Sequence, residues 1–156
     1  MTDSAELLAT AHKLLQGEPT ASDARKAISA AYYAVFHRLC LLCCESFAGK
    51  RDGSFVRAKR QAYRSIDHAS VRLACFEAKQ EANGYPEPVR DFSEIFVELQ
   101  ESRHDADYDP DAVFSKSDAL DAIRLARVGI AFLESAPAQH QRAFAVLIAM
   151  RKRPRG

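Results

Sequence analysis

The chain has 156 residues, of which 47% are hydrophobic and 28% charged, and its formal net charge is +1. This length and composition are typical of one globular domain with a sizeable core, and they exclude a disordered or collagen-like chain. The charge is uneven, because the last six residues, RKRPRG, contain four basic groups and no acid. Such a tail is usually solvated and less often contacts nucleic acid or a membrane.

The first half of the chain predicts two helices. The first covers residues 3–16 and ends at Gly17. The second is long, with Ser22 or Asp23 as its N-cap and an apolar series from Ile28 to Phe47. Because it is apolar nearly all round, it either lies at the centre of a bundle or covers a second surface, such as a dimer partner. We expect a homodimer.

A third helix is predicted from about Phe55 to Ala82, with a break near Ser65 as an alternative. Its cationic side chains share one sector of the helix, and these are Arg57, Arg60, Arg64, His68 and Arg72. The opposite, inward sector is predicted to hold Ala62, Ile66, Ala69, Leu73 and Phe76. The cationic sector is either a solvated helix face, the commoner case, or a track that binds the phosphates of RNA.

The fourth helix begins near Pro86 and contains an unusual arginine. Its predicted inward stripe consists of Val89, Phe92, Phe96 and Leu99, and Arg103 continues it. A guanidinium on an inward stripe requires a carboxylate or phosphate partner, or must line a polar groove. Asp107 and Tyr108 are the nearest candidates in sequence. Two interpretations stay open, a structural Arg–Asp pair and a cation that binds phosphate in a cleft.

The last part of the chain predicts a fifth helix and a terminal segment. Ser115 and Asp118 have the spacing of a capping box, and the positions predicted to face inward are Ile123, Ala126, Ile130 and Leu133. The sequence therefore predicts an all-α protein of five or six helices, with one helical bundle over residues 1–136. Residues 137–156 form an extra C-terminal helical segment and the basic tail.

The cysteines do not form a recognisable ligand set. Cys40, Cys43 and Cys44 lie on the second helix near His37, and Cys75 lies elsewhere. Zinc requires four nitrogen or sulfur ligands, and no second pair is visible, so we predict reduced, metal-free thiols and no cofactor. The absence of a secretory leader and of a membrane-length apolar run predicts a cytoplasmic protein without membrane association.

Three segments resemble the HEPN domain family, in particular its small prokaryotic branch. They are ARKAISAAYYAVFHRLC, HASVRLACF and SRHDADYDP, and they occur in the family's order within residues 22–134. The resemblance implies an up-and-down bundle of four to five helices that is frequently homodimeric, with the C-terminal segment as an addition. It also implies a role as a toxin of a toxin–antitoxin system, as a defence effector, or as the partner of a small nucleotidyltransferase-type antitoxin.

Active HEPN ribonucleases cleave RNA without metal, using an Arg followed by a polar residue and then a His. Arg103 and His104 are similar to the first two elements, but Tyr108, Asp109 or Pro110 occupies the place of the His. The resemblance implies an RNA-directed protein with an endoribonuclease-like cleft, and whether that cleft is active or degenerate stays open because the motif His is absent. Its catalytic candidates are Arg103, His104, Asp107 and Tyr108, and its RNA-binding candidates are Arg57, Arg60, Arg64, His68 and Arg72. The alternative is a non-catalytic dimeric bundle that docks onto a partner protein.

Overall fold

The computed structural model describes residues 2–50 and 52–150, and these residues form helices without any strand. The predicted all-helical bundle is thus confirmed. The helices of the described ranges are α1 Ser4–Leu14, α2 Ala21–Ala48, α3 Val56–Arg64, α4 His68–Ala78, α5 Glu87–Tyr108, α6 Lys116–Ser135 and α7 Ala138–Ala149, with a 3₁₀ turn at Glu81–Asn83.

Helix α2 is the centre of the bundle. It contacts α1, α3, α5, α6 and α7, and its fully buried stripe contains Ile28, Tyr32, Val35, Leu39 and Leu42. The structure thereby supports the first of the two interpretations of its all-round apolar surface. By length and composition alone α2 is also apolar enough to cross a membrane, but 67% of its most apolar window is buried in the bundle. A central helix of a bundle has the same property.

Reciprocal caps fix the starts of α2 and α6. Ser115 and Asp118 form the predicted capping box of α6, with hydrogen bonds of 3.1 and 2.8 Å between side chain and backbone. The predicted N-cap of α2, Ser22 or Asp23, is wrong. Thr20 is the N-cap, and Asp23 is the third helical residue, whose carboxylate accepts a hydrogen bond from the Thr20 amide at 2.9 Å. Threonine and aspartate at this spacing form the same box as serine and glutamate.

The predicted alternative of a break near Ser65 is confirmed, because the third helix is divided into α3 and α4 at Ser65–Asp67. Asp67 caps the new helix α4 by accepting a 2.8 Å hydrogen bond from the Ser70 amide. The predicted inward face of this second half is wrong, since Leu73 is 55% exposed and Phe76 40% exposed. The break resets the helix phase, so that α4 instead buries Val71, Ala74, Cys75 and Ala78.

Helices α5, α6 and α7 complete the core. The predicted inward stripe of α5 is confirmed, because Val89, Phe92, Phe96 and Leu99 are all buried. Gly129 permits the close approach of α6 to α5, because a Cβ atom there would lie 2.8 Å from Cγ2 of Ile95. Residues 138–149, predicted as helical, form α7 and bury Phe144, Ala145 and Ile148 against the bundle. The basic tail, residues 151–156, lies outside the described residues.

Candidate functional site

Arg103 lies inside the bundle end, on the aromatic rings of α2. Its Cζ atom is 4.9 Å from the ring centroid of Tyr32 and 5.7 Å from that of Tyr33. The side chain is only 12% exposed, and its Nη1 atom is 3.7 Å from an oxygen of Asp107. The inward direction predicted from the helical stripe is therefore confirmed, and Asp107 is the predicted neighbour.

The charge of Arg103 is only partly compensated. Its Nε atom is buried and has no hydrogen-bond partner within residues 2–50 and 52–150. The distance to Asp107 is longer than that of a charge-assisted hydrogen bond, and the same carboxylate also accepts a hydrogen bond from Ser29 at 3.4 Å. A guanidinium has five donors and cannot lose its proton, so this one retains capacity for an anion.

A chain of hydrogen bonds beside Arg103 assigns the ring proton of His68. Arg72 can only donate, and its Nη1 lies 3.1 Å from Oε1 of Gln100. The amide nitrogen of Gln100 therefore faces the Tyr32 hydroxyl, at 3.4 Å. The hydroxyl proton finds its acceptor when Tyr32 donates to Nδ1 of His68, 2.6 Å away, and on this ground we assign the ring proton of neutral His68 to Nε2.

The surroundings keep His68 neutral. Burial lowers its pKa below the usual value, and the positive charge of Arg103 lowers it further. The imidazole stacks on Phe36 with ring centroids 3.9 Å apart and is partly exposed. Because Nδ1 accepts the Tyr32 proton, His68 offers an N–H donor and has no free lone pair to act as a base. Arg103 and His68 are thus both donors.

A second histidine links this site to α3. Nδ1 of His37 lies 2.5 Å from the hydroxyl of Tyr63, and the His37 ring stacks on both Tyr63 and Tyr33. Burial lowers the pKa of His37 as well. His37, Tyr33 and Asp107 line a groove of about 640 Å³ that also contains the cationic residues Arg25 and Lys26. The groove therefore combines aromatic rings with positive charge.

Arg25 holds the end of α5 in place. Its guanidinium donates to the backbone carbonyls of Asp105, Ala106 and Asp109 at 3.4, 3.0 and 2.8 Å, and also to that of Ala112. These carbonyls lie at a helix C-terminus, where the helix leaves acceptors without partners and a cation is favourable. Arg25 thereby fixes the segment that contains Asp107.

The other two catalytic candidates lie apart from the guanidinium. His104 and Tyr108 pack against each other with centroids 5.1 Å apart and ring planes tilted by 51°, and Tyr108 is 67% exposed. Both project from the outer side of α5, as expected for residues one and five positions after Arg103 at 100° per residue. Neither contacts the guanidinium within the part of the chain that the structure describes. The structure thus brings together Arg103 and Asp107 of the four candidates.

The predicted RNA-binding stripe is divided between two helices. On α3, Arg57, Arg60 and Arg64 are exposed, and none forms an ion pair with the residues that the structure describes. On α4, Arg72 donates hydrogen bonds to Gln100 at 3.1 Å and to Glu101 at 3.0 Å. His68 is hydrogen-bonded to the hydroxyl of Tyr32. The three arginines of α3 therefore form an open cationic surface, whereas the two residues of α4 belong to the Arg103 site.

The cysteines have the properties of core residues. All four are buried, and burial raises the pKa of the Cys43 and Cys75 thiols to about 12. Thiols with such pKa values are protonated at neutral pH and are poor nucleophiles and metal ligands. Within the described ranges no group of three His, Cys, Asp or Glu side chains has a metal-binding arrangement.

The sequence predictions missed Tyr32, Gln100 and His37 as site residues. The sequence contains a signal for Gln100 and one for Tyr32, but none for His37. Gln100 lies three residues before Arg103 and shares its inward face, where a buried amide requires partners. Tyr32 lies on the inward stripe of α2, and a buried tyrosine hydroxyl usually finds a hydrogen bond.

Comparisons with protein-family models, with curated proteins and with solved structures give no match to this chain.

Proposed function

We propose that this protein is an HEPN-type, RNA-directed protein of the toxin–antitoxin or defence class, in which Arg103 binds a phosphate of RNA. The observation that carries the proposal is the incomplete pairing of Arg103. The guanidinium is 12% exposed, has a buried Nε without a partner and lies 3.7 Å from its nearest carboxylate. A buried cation in this state is costly, and a phosphate oxygen at the exposed part of the guanidinium would add the counter-charge that Asp107 supplies only in part.

The neighbouring groups favour RNA over a small anion. His68 adds an N–H donor beside the guanidinium, and Lys26 is one of the residues that line the groove next to it. A phosphate chain requires several cations rather than one. The arginines of α3 lie on the helix that Tyr63 joins to this groove, and they supply further cations. Together these cationic groups suit a polyanion rather than a single small anion.

Cleavage is the less favoured part of HEPN chemistry here. Attack of a ribose 2′-hydroxyl on the adjacent phosphate requires a group that accepts the hydroxyl proton. His68 is held as a donor, Asp107 is shared between Arg103 and Ser29, and Tyr108 points away. The resemblance to HEPN ribonucleases likewise lacks the motif His. The cleft therefore binds RNA and is degenerate as a ribonuclease.

The test compares the wild-type protein with Arg103→Met, which retains most of the alkyl stem and removes the charge. Both are incubated with total RNA, and binding, cleavage and the chemistry of new RNA ends are measured. We expect salt-sensitive binding by the wild type and at least a tenfold weaker affinity for the variant, since a hydrogen bond to a charged group contributes about 1.5–3 kcal/mol. Arg142→Met, which removes an exposed arginine of α7, is the matched control.

Two results would change this proposal. Equal RNA binding by the wild type and Arg103→Met would remove Arg103 from the interface. New ends with 2′,3′-cyclic phosphate, absent with Arg103→Met, would show that the cleft is an active ribonuclease rather than a binding site.

A second function is favoured by the Arg103–Asp107 pair itself. In it, Arg103 is structural, and the bundle dimerises and docks onto a partner such as a nucleotidyltransferase. The exposed apolar residues Leu73 and Phe76 of α4 would suit such a contact. This alternative predicts no RNA binding and a large loss of stability in Arg103→Met. The two functions therefore differ in both measurements.

A further inference from the structure

Phe55 is an exposed aromatic residue in a strained backbone conformation. It precedes α3 with φ 51° and ψ 34°, within the left-handed region, and it is the only non-glycine residue with positive φ among the described residues. Its side chain is 75% exposed, so burial of the ring does not offset the strain. A left-handed conformation costs about 1–2 kcal/mol for a residue with a Cβ atom. Strain of this kind concentrates at binding and functional sites.

The loop that presents Phe55 is fixed by a buried lysine. Lys59 is 3% exposed, and its Nζ atom donates to the carbonyl of Lys50 and, at 2.8 Å, to the carboxylate of Asp52. Asp52 also accepts hydrogen bonds from the amide and hydroxyl of Ser54 at 2.9 and 2.6 Å. The ring is therefore displayed on a tethered loop rather than on a free one. An aromatic surface of this kind loses little entropy when a partner stacks on it.

The residues that follow Phe55 are strongly cationic. Helix α3 reads VRAKRQAYR, with four basic residues and no acid, and Arg57, Arg60 and Arg64 are exposed. The helix is about 13 Å long at 1.5 Å per residue. Its last turn contains Tyr63, which hydrogen-bonds to His37 in the groove lined by Tyr33, His37 and Asp107. The exposed ring thus lies at one end of a cationic helix whose other end reaches the groove.

We propose that Phe55 is the stacking platform for a base of single-stranded RNA whose phosphates lie along α3 towards Arg103. The charge of α3 selects a polyanion, and an isolated exposed ring selects a flat base that is free to stack. A base inside a duplex is already stacked, so the platform selects single strands. This inference rests on the proposed function and adds to it the form of the RNA and a contact residue.

The test measures binding of a fluorescent oligouridine of about 12 nucleotides, a length within single-strand site sizes, and of its duplex with oligoadenylate. The variants are Phe55→Ala, Phe55→Trp and Phe55→Gly, and Val113→Ala is the control because Val113 is exposed by 89%. We expect Phe55→Ala to weaken single-strand binding by about 5- to 100-fold, the range for loss of one stacked base. Phe55→Trp should retain affinity, and the control should bind like the wild type.

Two further readouts distinguish stacking from unfolding and from charge. Phe55→Gly should melt no lower than the wild type, because glycine adopts positive φ without strain, and yet bind as weakly as Phe55→Ala. The salt dependence of binding should be unchanged in Phe55→Ala. In Arg60→Ala the slope of log affinity against log salt concentration should become shallower by about 0.7, the value for one phosphate contact to a single strand.

The outcomes separate this inference from the function on which it rests. If Arg103→Met loses RNA binding but Phe55→Ala does not, the proposed function stands and the platform is refuted. Equal loss of single-strand and duplex binding in Phe55→Ala also refutes it. If the wild type binds neither RNA, the proposed function and this inference are both wrong.

Discussion

Replacement of Arg103 by methionine tests how the bundle tolerates its inward cation. Three contributions to the free energy of unfolding change. The ion pair with Asp107 is long and partly solvated, so its loss costs at most about 1 kcal/mol. Loss of the contacts with the Tyr32 and Tyr33 rings costs about 1–2 kcal/mol. Removal of the buried Nε atom, which has no hydrogen-bond partner, stabilises the folded state by about 1–3 kcal/mol.

These contributions nearly cancel, so the expected change in the free energy of unfolding lies within about 1–2 kcal/mol of zero. For a chain of this size, 1 kcal/mol shifts the melting temperature by about 2–4 °C. Urea unfolding followed by circular dichroism measures the change, with Arg142→Met as the exposed control. A loss above about 3 kcal/mol is the value for breaking a fully paired buried ion pair, and it would refute the incomplete pairing inferred for Arg103.

Four further predictions follow from the same contacts. Tyr32→Phe removes the donor to Nδ1 of His68, so the pKa of His68 should rise in an NMR titration, and an unchanged pKa would contradict the tautomer assignment. Burial lowers the pKa of His37 and His68 in the folded state, so the unfolded chain binds more protons at acid pH. The free energy of unfolding should therefore be constant near neutrality and fall below about pH 6.5, which urea midpoints would measure. The four buried cysteines should resist a thiol reagent until the chain unfolds, and purified protein should contain no stoichiometric zinc. Sedimentation at micromolar concentration should give a homodimer, and a species of 17.3 kDa alone would disprove it.

The elements that depend on local pattern could be predicted from the sequence. The stripe from Val89 through Leu99 places Arg103 inside because one helix runs unbroken through these positions. The capping box of α6 requires only two residues three positions apart. The inward face of α4 was predicted wrongly, because the break at Ser65–Asp67 changes which side of the helix faces the core. The face of α4 depends on where Asp67 caps it, and a shift of one residue turns a helix face by 100°.

The donor chain around Arg103 could not be predicted in the same way. Arg72, Gln100, Tyr32 and His68 come from three helices, and their order depends on side-chain contacts across the bundle. From their spacing along one helix, Arg72 and His68 were predicted to belong to one cationic stripe. Such spacing contains no information about hydrogen-bond partners on other helices. Only the packed structure shows that Arg72 orients an amide and that His68 is thereby a donor.

The sparse attachment of α3 has a consequence for hydrogen exchange. This helix packs chiefly on α2, and Lys59 is its only fully buried residue. Elements with few buried contacts open by local fluctuation, whereas a helix surrounded on all sides exchanges only when the whole domain unfolds. Amide protons of α3 should therefore exchange orders of magnitude faster than those in the middle of α2. If α3 binds RNA as proposed, exchange of its amide protons should slow selectively on addition of RNA.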